Sequence, residues 1–207
     1  MKKYTLLALI IFISACSSSR VLKSNEPRGR FGYPLVVEST ATFETAWIKL
    51  VDYIAIKGLP ISRLDKTNGL FISAPIQVPY VIENATGQNA DTTATVILPR
   101  LRFQQLRGKT VLSSRIVYPD SVMASLNVRI RSNPASGAFV NANITEIRVK
   151  GSHYRKKQLT AGITNDTTIT AIPVTVKPSD WSSAKSTGKI EKAIIEAIKA
   201  GNVAKYQ

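Results

Sequence analysis

Residues 46–75, AWIKLVDYIAIKGLPISRLDKTNGLFISAP, contain the change of hydrophobic period that decides the fold. Just upstream and through the first half, Phe43, Trp47, Leu50 and Ile54 recur at helical spacing, which predicts an amphipathic helix over 42–57 with these four on its buried face. Thr42 is suited to cap the start, Glu44 suits the positive end of the helix dipole, and Gly58 can turn left-handed after the last turn. Two short apolar runs follow at 59–64 and 70–74. Asp65, Lys66, Thr67, Asn68 and Gly69 between them form a cluster suited to reversing the chain. A helix lying on a β-hairpin is therefore expected, with Trp47 in the core.

Downstream the period stays at two. Runs at 96–104, 110–118, 122–131 and 139–150 read as strands, separated by Arg107-Gly108, by Pro119-Asp120 and by the 133–137 stretch NPASG. In the third run Val122, Ala124, Leu126, Val128 and Ile130 alternate with Ser125, Asn127, Arg129 and Arg131, so one face is core and the other wet. The fourth run does not hold one phase, which is expected either of a bulge or of a segment that is not one strand. The polar stretch 84–95 reads as a loop, and 167–176 as a last strand. A closing helix over 189–200 has Ile190, Ala193, Ile194, Ala197 and Ile198 as its apolar stripe. The expected class is α+β: an antiparallel twisted sheet with an N-terminal Trp-bearing helix and a C-terminal helix packed on one face.

At the N-terminus Lys2 and Lys3 precede an apolar run, 6–13, that ends at Ser14, Ala15 and Cys16. This is the layout of a cleavable signal peptide, and the run is far short of the roughly 18 to 20 residues needed to span a bilayer. The stretch Ile13-Ser14-Ala15-Cys16 resembles the bacterial lipobox. That resemblance implies cleavage before Cys16, the only cysteine, and lipid attached to it. Ser17 in place of aspartate implies, under the sorting rule of enteric lipoproteins, an outer-membrane, lipid-anchored, periplasm-facing location. The expected organisation is a signal peptide over 1–15, a lipidated flexible tether over 16–37 and a single α+β domain over 38–207. Several acyl chains would hold such a protein permanently.

The elements of 46–75, a helix bearing Trp47 and Leu50, then Gly58, Ile61, the Asp65-x-x-x-Gly69 turn and a second strand, resemble the conserved domain of BamC, the lipoprotein subunit of the outer-membrane β-barrel assembly machinery. The resemblance implies a helix-on-sheet fold and a non-enzymatic role as an interaction module in envelope assembly or maintenance, with an envelope protein complex as partner.

Charge is the other informative feature. Lys and Arg number 28 against 13 Asp and Glu, a formal net charge of +15. Such a balance favours anionic neighbours, here anionic lipid or lipopolysaccharide. The candidate anion-binding residues are Arg100, Arg102, Arg129, Arg131, Arg155, Lys156 and Lys157. Arg100 with Arg102, and Arg129 with Arg131, are i,i+2 pairs expected to project from a sheet face. Nucleic acid is disfavoured by the anchor and by the lack of aromatics interleaved with these cations.

No catalytic or metal-binding constellation stands out, and no cofactor is expected. His153, the single histidine, is expected in an exposed loop. Gly108-Lys109-Thr110 lacks the first glycine of a phosphate loop, since Phe103 stands in its place. Glu38, Glu44, Asp52, Asp65 and Glu83 carry no spacing that marks a carboxylate pair. The alternative function is an envelope glycan- or peptidoglycan-binding protein or hydrolase with a loop-built site.

Overall fold

The structure is a computed structural model that describes residues 19–25, 35–83, 93–107, 110–135, 137–159 and 167–199. The expected signal peptide, Cys16 and most of the expected 84–95 loop lie outside the described residues.

One long antiparallel hairpin organises the molecule. Strands β9 (Thr110–Asn133) and β10 (Gly137–Leu159) pair from Asn133–Gly137 at the turn to Val117–Tyr154 far from it. Pro119 does not break β9, as its sequence context suggests it should. It pairs with Ser152, and its carbonyl accepts a hydrogen bond from the Tyr80 hydroxyl at 3.0 Å, so the missing N–H interrupts nothing.

The two halves of the hairpin recruit different neighbours. Near the turn, β10 takes β2 (Leu35–Ser39), while β9 takes β4 (Leu70–Ser73), itself paired with β3 (Ile61–Asp65), and then β5 (Ile76–Gln77). In the far half, β9 pairs with β8 (Arg100–Arg107), β8 with β1 (Ser19–Asn25), and β10 with β11 (Thr167–Pro173). A small mixed sheet has the order β12 (Lys185–Ser186), β7 (Val96–Leu98), β6 (Tyr80–Ile82), with β6 and β7 parallel. The class is α+β, mostly antiparallel, with two α-helices among the described residues.

Helix α1 (Phe43–Lys57) begins and ends where its residues dictate. Thr42 accepts a hydrogen bond from the Thr45 N–H, and Gly58 adopts φ 59° with its N–H on the Ala55 carbonyl. Ala46, Trp47, Leu50 and Ile54 are buried. They meet Phe71, then Leu126, Val128 and Ile130 of β9, then Ala138, Val140 and Ala142 of β10, and Ile194, Ile195 and Ile198 of α2 (Lys189–Lys199). Lys49 reaches across to the Ile198 carbonyl at 3.2 Å, placing a cation on the negative end of α2. A second cluster joins Val96 and Leu98 of the small sheet to Leu101, Val117, Val122, Ala124 and Trp181.

The uncertain phase of residues 139–150 resolves as a bulge. Ile144 pairs with Leu126 but Glu146 pairs with Ser125, so Thr145 is the extra residue. The shift lets Ile147 and Val149 fall opposite Ala124 and Val122, keeping the apolar stripe on one face. The Ile144 N–H donates to Glu191 Oε1 at 3.3 Å. This contact corrects the expected stripe of α2. The buried set is Glu191, Ile194, Ile195 and Ile198, while Ala193 is exposed, because the helix is rotated to set Glu191 on the bulge.

The N-terminal boundary is also corrected. The expected tether over 16–37 contains β1, which pairs along its whole length with β8, and β2 starts before the expected domain start at 38. Polar residues show no alternation to read, and the partner strand lies about eighty residues away in sequence.

Candidate functional site

The cations picked out by sequence fall into two groups, one in each half of the hairpin. Arg102 pairs with Ile116. Leu101 and Val117 are buried in the cluster that also holds Val122 and Ala124, so Arg100 and Arg102, which alternate with Leu101, point away from that core. Arg129 and Arg131 alternate with the buried Val128 and Ile130 and likewise point away from the core. The four arginines therefore stand in two places along the hairpin.

Arg129 and Arg131 are exposed on the helix-free face near the turn. With Asn127, Phe139 and Asn141 they line an open groove of about 430 Å3. Two guanidinium groups, two amides and one aromatic edge suit an anion or a hydroxyl-rich ligand.

In the far half, Arg100 lines a second cavity of about 480 Å3 with Tyr80, Val81, Ile82, Glu83, Ile116 and Tyr118. Around Tyr118 a chain of ring contacts continues. The Arg155 guanidinium sits 4.7 Å over the Tyr118 ring, His153 stacks beside that ring at 6.0 Å, and His153 Nδ1 lies 2.6 Å from Asp120 Oδ1. On the other face Arg115 stands 4.9 Å over Tyr154, which stacks on Phe103 at 5.5 Å. Such cation and ring contacts hold guanidinium groups in place without neutralising them. Lys156 is exposed, and the Lys157 backbone pairs with Ile169, its side chain lying outside the described residues.

His153 is thus not a loop residue. It is a strand residue fixed by Asp120, and the sequence concealed this because the partner is 33 positions away. The strands of the far half, β8, residues 110–120 of β9, residues 150–159 of β10, and β11, hold Asp120 as their sole acidic residue, against Arg100, Arg102, Arg107, Arg115, Lys150, Arg155, Lys156 and Lys157.

Among the described residues no cluster of three or more His, Cys, Asp or Glu side chains has the arrangement of a metal site, and no helix is long and apolar enough to cross a membrane. Comparison of the chain with protein-family models, curated proteins and solved structures finds no match.

Proposed function

We propose that the protein is an outer-membrane lipoprotein, lipidated on Cys16, whose BamC-like domain is a non-enzymatic interaction module in envelope assembly or maintenance. One observation carries this reading. Strand β1 starts three residues after Cys16 and runs hydrogen-bonded along β8, the strand that bears Arg100 and Arg102. Anchor and cationic sheet are thereby joined through backbone, so the far half faces whatever anionic surface or protein lies at the membrane.

The test is cell fractionation combined with crosslinking in intact cells. The parent protein should sediment with outer membranes after a high-salt wash, and Cys16→Ala should be released. Crosslinkers placed in the far half should capture envelope components. A Cys16→Ala protein that stays in the washed membrane pellet refutes the anchor.

A second reading is favoured by the groove of Asn127, Arg129, Arg131, Phe139 and Asn141, which combines amide, guanidinium and aromatic groups. It is that of an envelope glycan- or peptidoglycan-binding protein. Binding of peptidoglycan fragments that is lost in Arg129→Ala would support it.

A further inference from the structure

Val111 is 47% exposed and Leu112 53%, and both stand on β9 in the far half. Exposed apolar side chains are ordinary when scattered. Their place relative to the chain start is what gives these meaning. Ser19 pairs with Leu106, and Leu106 pairs with Val111, so the three residues form one row across β1, β8 and β9. The register shifts there, leaving Leu112 as the extra residue, so that Val111 and Leu112 together oppose Leu106.

Ser19 is three residue steps from Cys16, a reach of about 10 Å at full extension. Val111 stands two strands from Ser19, about 10 Å across the sheet. Acyl chains on Cys16 can lie in hydrocarbon only if Cys16 itself sits at headgroup depth, a layer of roughly 5 to 8 Å on each side of the core. The end of the sheet that carries Val111 and Leu112 is then held against that layer.

Resting on the reading that Cys16 is lipidated, we propose that this end of the β8–β9 arm seats in an anionic phospholipid surface, with Val111 and Leu112 entering the interface and the arginines behind them meeting headgroup phosphates. Apolar tips backed by cations, with Asp120 as the one acid on these strands, have the composition of an interfacial surface. Ile48, Ile56 and Ile61 are exposed to a similar degree on α1 and β3 in the turn half, where no anchor is near. They serve as the internal comparison.

The experiment uses the full-length protein purified from bacterial membranes and reconstituted in vesicles of phosphatidylethanolamine and phosphatidylglycerol. Acylation blocks Cys16, so single cysteines introduced as Leu112→Cys, Val111→Cys or Ile56→Cys can be labelled with an environment-sensitive fluorophore. The label at 112, and at 111 should Leu112→Cys misfold, is expected to shift to the blue and to be quenched by nitroxide-bearing lipids. The label at 56 is expected to do neither. A water-like, unquenched label at 111 and 112 on a protein whose N-terminal peptide has the mass of an acylated cysteine overturns the seating while leaving the anchor intact. A blue shift without lipid quenching means a protein surface covers the tip, and overturns it equally. An N-terminal peptide without acyl mass overturns the anchor, and the seating with it.

Discussion

Gly58 and Gly69 offer a controlled pair of substitutions, because both adopt φ 59° while their surroundings differ completely. A Cβ added at Gly58 meets nothing within 4 Å. Gly58→Ala should then cost only the left-handed backbone penalty of an L-residue, about 1 to 2 kcal/mol. At Gly69 the same Cβ would collide with the Ile130 carbonyl and approach Phe43 Cε2 to 3.0 Å. Backbone cannot move aside cheaply here, since the Ile130 N–H donates to the Gly69 carbonyl at 2.8 Å. To the same backbone penalty are added the loss or distortion of that hydrogen bond, about 0.5 to 1.5 kcal/mol, and overpacking against Phe43 and the strand, about 1 to 3 kcal/mol. Gly69→Ala should therefore cost about 3 to 6 kcal/mol, a large share of the stability of an ordinary domain. Urea denaturation followed by Trp fluorescence measures both variants under one set of conditions. Equal shifts of the two midpoints would refute the close approach of the Asp65–Gly69 turn to β9, and with it the seating of the hairpin under α1.

Glu191→Leu should destabilise by about 1 to 3 kcal/mol because the Ile144 N–H at the bulge loses its acceptor, whereas Glu191→Gln keeps an acceptor and should hold its midpoint; equal losses in urea titrations would count against this. The two arginine pairs should separate functionally: in the Cys16→Ala protein, Arg100→Gln with Arg102→Gln should weaken binding to anionic vesicles by up to about 1 kcal/mol per charge at low salt, and Arg129→Gln with Arg131→Gln should change it little. Equal losses in a vesicle sedimentation assay would return all four arginines to one binding surface. The Asn68 side chain, then the Asn68 N–H and Arg63, hold the Asp65 carboxyl below its ordinary value of 3.8. A lowered folded value means stability that is present above the unfolded value and lost as pH falls through the folded one. Asp65→Asn should flatten that acid-side slope, and an unchanged slope in pH-dependent melting would show that the turn contacts are not made in solution.

The local elements were legible because their causes are local. The period of Phe43, Trp47, Leu50 and Ile54, the cap at Thr42 and the left-handed stop at Gly58 specified α1 without reference to any other part of the chain. The alternation from Val122 to Ile130 specified which face of β9 is buried, since each of those apolar positions is buried in the fold. Even the loss of phase in residues 139–150 carried information, and a bulge at Thr145 is its physical content.

What the tertiary structure alone decided is everything that depends on register between distant strands. Counting from the Asn133–Gly137 turn without the bulge would set His153 opposite Val117. The single extra residue moves it to Tyr118, onto the face with Asp120 and Arg155. Strand pairing put Arg100 and Arg102 in the far half and Arg129 and Arg131 beside the turn, although all four look alike as i,i+2 pairs. A polar segment after Cys16 became a strand because β8 offered a free edge, and the backbone groups that pair there carry no side-chain signature. Sequence by itself therefore determined which residues are apolar, capped or turning, while pairing over long separations determined which charges meet and where they stand relative to the chain start.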